Sequence, residues 1–350
     1  MESVRSDQRR SEPGAAGFGQ VAAVQPTMAR GPRAMGSQVA DLADGVVGSL
    51  ERSKSLDAFA QALGGVFSKV VQPGKVKDLL SGTWMGHAAH PMLTDVTIGS
   101  WTSSLFLDLL GGRGSAAADE LVGVGLLAAM PTAVTGLSDL ADLGTESERA
   151  LGGAHAAGNL TAVALYGASY LARRAGSRRM GIALSLAGAA VMTGAAFLGG
   201  HLTLRKGIGV DHTAFEQPVE DWTPVLADAE LVPGEPRLVQ AAGNDVMLYR
   251  SAGGSILALA NRCNHAGGPL NEGAFEEGRV TCPWHASMFN LADGSLARGP
   301  ATAPQPSYEA RVGTTRSRCD PDPGSEAGDS PRPNFEPQRA EMSGLAQGWS

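Results

Sequence analysis

Four residues in the last third of the chain have the types and spacing of a metal centre: Cys263-x-His265 and, sixteen residues later, Cys282-x-x-His285. Each pair is set among turn-forming residues, Asn264, Gly267, Gly268 and Pro269 in one case, Pro283 and Trp284 in the other. Two tight loops would therefore present two thiolates and two imidazoles to one centre. Two chemistries use such a set. A closed zinc site accepts Cys2His2, although its usual spacing joins Cys to Cys and His to His across a helix. A two-iron cluster with thiolates on one iron and imidazoles on the other needs each loop to supply one ligand to each iron, and the mixed order here suits that arrangement. With only three cysteines in 350 residues, a disulfide framework is excluded. The third, Cys319 in RSRCDPDPG, has no histidine partner and reads as a free thiol.

The elements that must position these loops are short alternating runs, VMLYR and SILALA, with a Gly253-Gly254 turn between them. From about residue 221 to 312 the chain resembles a Rieske iron–sulfur domain. ILALANRCNHAGGPL is similar to the strand and first cluster loop of that family. GRVTCPWHASMFNLADGSLARGPA is similar to its second loop, the following hairpin and the proline-bearing loop that covers the cluster. The resemblance implies an all-β domain, a 2Fe-2S cofactor held by Cys263, His265, Cys282 and His285, and both histidines exposed at the tip. A final strand is hard to find after Arg311 and Val312, where the sequence turns polar.

Departures from the family pattern bear on redox tuning. Respiratory members carry two further cysteines that tie the loops together, and Gly268 and Trp284 stand in those places. Ala286 follows the second histidine where glycine is usual. Ser287 occupies the position of a serine whose hydroxyl bonds a cluster sulfur, while Phe289 replaces a tyrosine that does likewise. Fewer hydrogen bonds to sulfur lower the potential, toward the low end of the roughly −150 to +300 mV range of such centres.

The middle of the chain is apolar. Segments 91–112, 120–143, 152–172 and 179–204 each approach the roughly 20 residues that cross a bilayer core as a helix. The fourth is the best candidate, uncharged from Gly181 to Gly200. The first is the weakest, because Asp95 and Asp108 leave only a short run between them. If the four alternate in direction, His87, His90, His155, His201, Asp95, Asp139 and Asp142 gather on one side of the membrane. Polar groups at that depth mark a pocket for haem, a metal or a quinone, or else cap helix ends and meet water. His90, His155 and His201 form a speculative second site, with haem b as its candidate cofactor. GHAAHPMLTDVTIGSWTSSLFLDLLGG and GAAFLGGHLTLRKGIGVD resemble an uncharacterised bacterial four-helix membrane domain, which transfers no activity.

The expected organisation is a polar, partly disordered region over 1–85, a four-helix transmembrane bundle over 86–210, an all-β Rieske domain over 220–313 and a disordered tail over 314–350. Net charge of −7 sets nucleic-acid binding aside. Arginines flanking the helices favour neither side strongly, and the terminal domains are placed on the cytoplasmic face of a multi-pass cell-membrane protein. The function expected is one-electron transfer between donor and acceptor proteins or a quinone. The alternatives are a ferredoxin component serving a separate oxygenase and a non-catalytic redox-sensing module. No large catalytic domain follows the cluster motif, which argues against a complete oxygenase.

Overall fold

A computed structural model describes residues 37–111, 115–219 and 221–313. Cys319 and the tail over 314–350 lie outside the described residues. Among the described residues, seven α-helices precede two antiparallel sheets: α1 (Ser37–Glu51), α2 (Lys54–Val70), α3 (Lys75–Ser81), α4 (Ala89–Leu110), α5 (Ser115–Leu140), α6 (Glu146–Arg174) and α7 (Arg178–Leu204). The four apolar segments correspond to α4–α7, and the region read as polar and partly disordered contributes three more from residue 37 onward. Their sequences, such as KSLDAFAQALGGVFSKV, place small apolar residues on one face only, which averages to a polar composition.

Local signals set the helix ends. Thr145 caps α6 through a reciprocal pair: its Oγ1 accepts from Glu148 N at 3.2 Å, and the Glu148 carboxylate accepts from Thr145 N at 2.9 Å. At the other end Arg173 and Arg174 lie in the last turn, where cations complement the helix dipole. Inside the bundle the Trp101 and Tyr166 rings stack at 4.0 Å. The end remote from the β-domain is closed by a charge cluster in which the fully buried Arg173 meets Asp108 at 2.5 Å and Asp119 at 2.8 Å.

Among the described residues two helices, over 116–140 and 178–204, are long and apolar enough to cross a membrane. Large apolar side chains on α4–α7 face outward rather than into the bundle, among them Phe106, Leu127, Met130, Leu160, Leu186 and Phe197.

The β-domain contains β1 (Pro236–Ala241), β2 (Asn244–Arg250), β3 (Ile256–Ala260), β4 (Ala274–Glu276), β5 (Arg279–Thr281), β6 (Met288–Asn290), β7 (Leu296–Arg298) and β8 (Ser307–Tyr308). The sheet orders are β1-β2-β3-β8 and β4-β5-β6-β7. Strand β2 lies between two cores. Met247 joins Leu259, Leu270, Val280 and Phe289 around the cysteines, while Val246 and Leu248 join Val239 and Ala258 on the other face. The last strand falls at Ser307–Tyr308, paired with β3, earlier than the polar run after Val312 where it was sought.

Candidate metal centre

Cys263 and His265 lie in the loop after β3, Cys282 and His285 in the loop joining β5 to β6. Main-chain bonds close both loops: Cys263 N to Gly268 O at 2.9 Å, Gly267 N to Cys263 O at 2.8 Å, Cys282 N to Ser287 O at 2.8 Å, and Ala286 N to Cys282 O at 3.1 Å. The second loop bends through Ala286 at φ +61°, a left-handed conformation that explains why glycine is usual there.

The loops bring the two cysteines into contact with each other, and the two histidines likewise. Both cysteines are buried and free. The His265 and His285 rings meet edge to face with centroids 5.0 Å apart. Nδ1 of His285 is buried without a hydrogen-bond partner, an arrangement that persists only if something else satisfies the lone pair. Burial, chiefly, holds the His265 imidazole down to about 4, so it is neutral and ready to ligate. Hydrogen bonding to Cys263 pulls the Cys282 thiol down to about 7, while the same bond and burial push Cys263 up. One thiol of the pair is thus primed to lose its proton. The donor set fits a 2Fe-2S cluster.

Around the ligands, Ser287 is fully buried and its Oγ accepts from Ala301 N at 3.0 Å, leaving its hydroxyl proton to donate elsewhere. A Cβ on Gly268 would lie 2.8 Å from Cys282 Sγ and 3.1 Å from the Trp284 ring. The positions of the family's extra cysteines are therefore adjacent, with an indole laid over a glycine. Phe289 is fully buried in the core. Asn264, expected only as a turn residue, and Gln305, which no expectation named, both support the first loop. Gln305 accepts from Asn264 N at 3.1 Å and donates to the carbonyls of Ala260 at 2.9 Å and Arg262 at 2.7 Å. It thereby ties the proline-bearing cover to the first loop. An isolated glutamine after a loop gives no periodic signal.

One expectation is corrected. The cluster histidines are not a free tip, because Asp142, just past α5, covers their edge. Its Oδ2 lies 3.6 Å from His265 Nε2, whose side chain is 20 % exposed, and its backbone approaches His285. Asp142 also pairs at 2.8 Å with Lys77, whose ammonium donates to the carbonyl and hydroxyl of Ser138 at 2.8 and 3.0 Å. Beside this contact, Asp78 accepts from Gly299 N at 2.9 Å and Thr83 Oγ1 donates to Ala301 O at 3.0 Å.

The helical histidines divide. His90 and His155 meet edge to face at 6.4 Å, whereas His201 turns to Glu51 at 3.9 Å and does not join them. His155 is engaged on both nitrogens, Nδ1 donating to Ala195 O at 2.8 Å and Nε2 accepting from Asn159 at 3.1 Å. The arrangement lends the haem expectation no support.

A two-layer β-domain that holds two thiols and two imidazoles in paired loops defines an iron–sulfur electron-transfer domain of Rieske type. Comparison with known proteins agrees. Residues 221–309 match the Rieske [2Fe-2S] domain, and residues 86–212 match a family described as Predicted membrane protein (DUF2231). The chain carries a Rieske [2Fe-2S] domain preceded by a domain of that membrane protein family. It is 30 % identical over 91 residues to Ferredoxin CarAc of Metapseudomonas resinovorans, covering 26 % of this chain and 85 % of that one. It is 29 % identical over 97 residues to the Anthranilate 1,2-dioxygenase ferredoxin subunit of Burkholderia cepacia, covering 28 % and 89 %. Against Apoptosis-inducing factor 3 of Mus musculus it is 32 % identical over 83 residues, 24 % of this chain and only 14 % of that protein. Among solved structures, the Ferredoxin of carbazole 1,9a-dioxygenase from Nocardioides aromaticivorans IC177 is 30 % identical, covering 27 % of this chain and 90 % of that one, with a TM-score of 0.25.

Proposed function

We propose that this protein is a membrane-held one-electron carrier in which Cys263 and Cys282 bind one iron of a 2Fe-2S cluster and His265 and His285 the other. The observation that carries the reading is the pair of buried free thiols beside an edge-to-face histidine pair, one of whose nitrogens is buried and unpartnered. When bound, such a cluster supplies a couple that takes up and releases a single electron. The chain's own residues exclude water from the thiol side through Leu270, Val280 and Phe289. The Ser287 hydroxyl is placed to donate toward a cluster sulfur, and Asp142 sets a carboxylate against the histidine edge.

Membrane attachment is supported by the outward-facing apolar side chains of α4–α7 and by the match over residues 86–212. Four spans would return the chain to the side on which it began, which we take as the cytoplasmic side although the flanking charges favour neither side strongly. The electron partners are a donor and an acceptor, proteins or a quinone. A ferredoxin role toward a separate oxygenase is favoured by the identity to the dioxygenase ferredoxins, but Asp142 then has to leave the histidine edge before a protein can reach it.

Electron paramagnetic resonance of the reduced, full-length protein in detergent tests this reading. A low average g value of a mixed Cys/His cluster, lost together with colour in Cys263→Ser and His285→Ala, is expected. A colourless zinc protein would overturn it.

A further inference from the structure

The four long helices use one pattern of contacts twice. In the hairpin α4–α5, His90 Nδ1 lies 3.0 Å from Thr132 O and Ser104 Oγ donates to Ala118 O at 3.0 Å. In α6–α7, His155 Nδ1 lies 2.8 Å from Ala195 O and Ser169 Oγ donates to Gly181 O at 2.7 Å. A carbonyl only accepts, so both imidazoles carry their proton on Nδ1. Glycines face the rings in the same way: a Cβ on Gly125 or Gly136 would run into Trp101 or His90, and one on Gly188 or Gly199 into Tyr166 or His155. Along α4 and α6, His90, Trp101, Ser104 and Asp108 have the spacing of His155, Tyr166, Ser169 and Arg173, and their partners in α5 recur at unchanged spacing in α7. Counterparts also touch each other. The two imidazoles meet at 6.4 Å, the two large rings stack at 4.0 Å, and Asp108 pairs with Arg173. A residue meets its own counterpart where a twofold axis passes, so the axis runs along the bundle between α4 and α6.

We infer that the helical domain is a fused dimer, with α4–α5 and α6–α7 as two copies of one hairpin, and that the residue beyond each copy, Asp142 in the first and Arg205 in the second, decides which copy docks the cluster domain. Asp142 follows Gly136 at the distance at which Arg205 follows Gly199. Each pairs with an N-terminal helix through the opposite charge, Asp142 with Lys77 of α3 at 2.8 Å and Arg205 with Asp44 of α1 at 2.7 Å. Two equivalent ends are thus marked with inverted charge, and the cluster histidines lie on the acidic one, His265 Nε2 being 3.6 Å from Asp142. A histidine that ligates a metal through one nitrogen donates from the other to a carboxylate or carbonyl. The Asp142 side chain can accept that hydrogen bond, whereas an arginine side chain has only donors. This step rests on the reading of His265 as a ligand; the duplication does not.

Exchanging counterparts tests the duplication. In the full-length protein in detergent, Tyr166→Trp alone overpacks the axis and should lower the unfolding temperature by at least about 2 °C. Combined with Trp101→Tyr it should unfold with the wild type, because each ring enters the site its counterpart left. An exchange protein that unfolds well below the wild type would overturn the duplication. The docking choice is read on the reduced protein with its cluster, through broadening of the cluster's resonance lines by a water-soluble dysprosium chelate. Protection from the chelate should be lost in Asp142→Arg, which gives the first copy the residue of the second. It should be kept in Asp142→Asn, which retains an acceptor, and in Arg205→Asp. Unchanged protection in Asp142→Arg, or equal loss in Asp142→Asn, would overturn the role of Asp142. Absence of any mixed-ligand cluster signal would remove the carrier reading itself and leave the exchange result standing.

Discussion

Replacing Asp142 by Asn should raise the cluster's reduction potential. Reduction adds a negative charge to the centre, and the Asp142 carboxylate, 3.6 Å from His265 Nε2, opposes it. One imidazole further on, the redox centre stands on the order of 8 Å from that charge, and at an effective dielectric of about 20 a unit charge there is worth about 2 kcal/mol. For a one-electron couple this is on the order of 90 mV. Screening is modest, since the side chain is 16 % exposed, so a shift of at least about half that size survives. Lys77 does not cancel the effect, because removing one charge changes the potential by that charge's own contribution whatever its neighbours carry. Lys77→Met should move the potential the other way. The assay is a redox titration of the resonance signal on both variants. An unchanged potential in Asp142→Asn, with the spectrum intact, would show that the carboxylate does not face the cluster.

Further outcomes follow from the loops and the bundle. Ala286→Gly relieves a left-handed backbone at φ +61° and should stabilise the β-domain by about 1 kcal/mol, read as a higher unfolding temperature with an unaltered spectrum. Gln305→Ala leaves Asn264 N and the carbonyls of Ala260 and Arg262 without their partner. At about 1–3 kcal/mol for a buried group left unsatisfied, it should accelerate cluster loss, followed as bleaching under a chelator. Arg173→Met takes one of two guanidinium partners from Asp108, whose side chain is 2 % exposed and which keeps Arg178 at 2.6 Å, and should destabilise the bundle by about 1–3 kcal/mol, measured by thermal unfolding in detergent.

The Rieske domain was legible in the sequence because cluster chemistry fixes residue type and local spacing together, and both Cys-His loops are short enough to encode in one stretch. The four long helices were legible because apolar runs of that length are rare for other reasons. What stayed hidden depends on contacts across long separations. Asp142 could be placed on the histidine-bearing side, but not against His265, more than a hundred residues away. Lys77 and Asp78 lie in the stretch whose composition reads as polar and partly disordered. His201 was grouped with His90 and His155 by its position along the helix, and only the rotation of α7 about its axis, which turns it to Glu51, separates them.

The stretch from Lys75 to Met85 links bundle and cluster. Thr83 donates to Ala301 O, and Ala301 N donates to Ser287 Oγ, so Ser287 is tied through one residue to the helical domain. Asp78 holds the adjoining Gly299 amide. A relative such as Ferredoxin CarAc is nearly spanned by the β-domain alone, whereas this chain adds a surface that holds the cover loop in place. Docking of this kind fixes the environment of the histidines and the hydrogen bond of Ser287 at the same time. Weakening it through Thr83→Val should therefore alter the cluster spectrum, although residue 83 lies in neither cluster loop. A Thr83→Val protein with the wild-type spectrum and potential would mean that the cover is held by the β-domain alone.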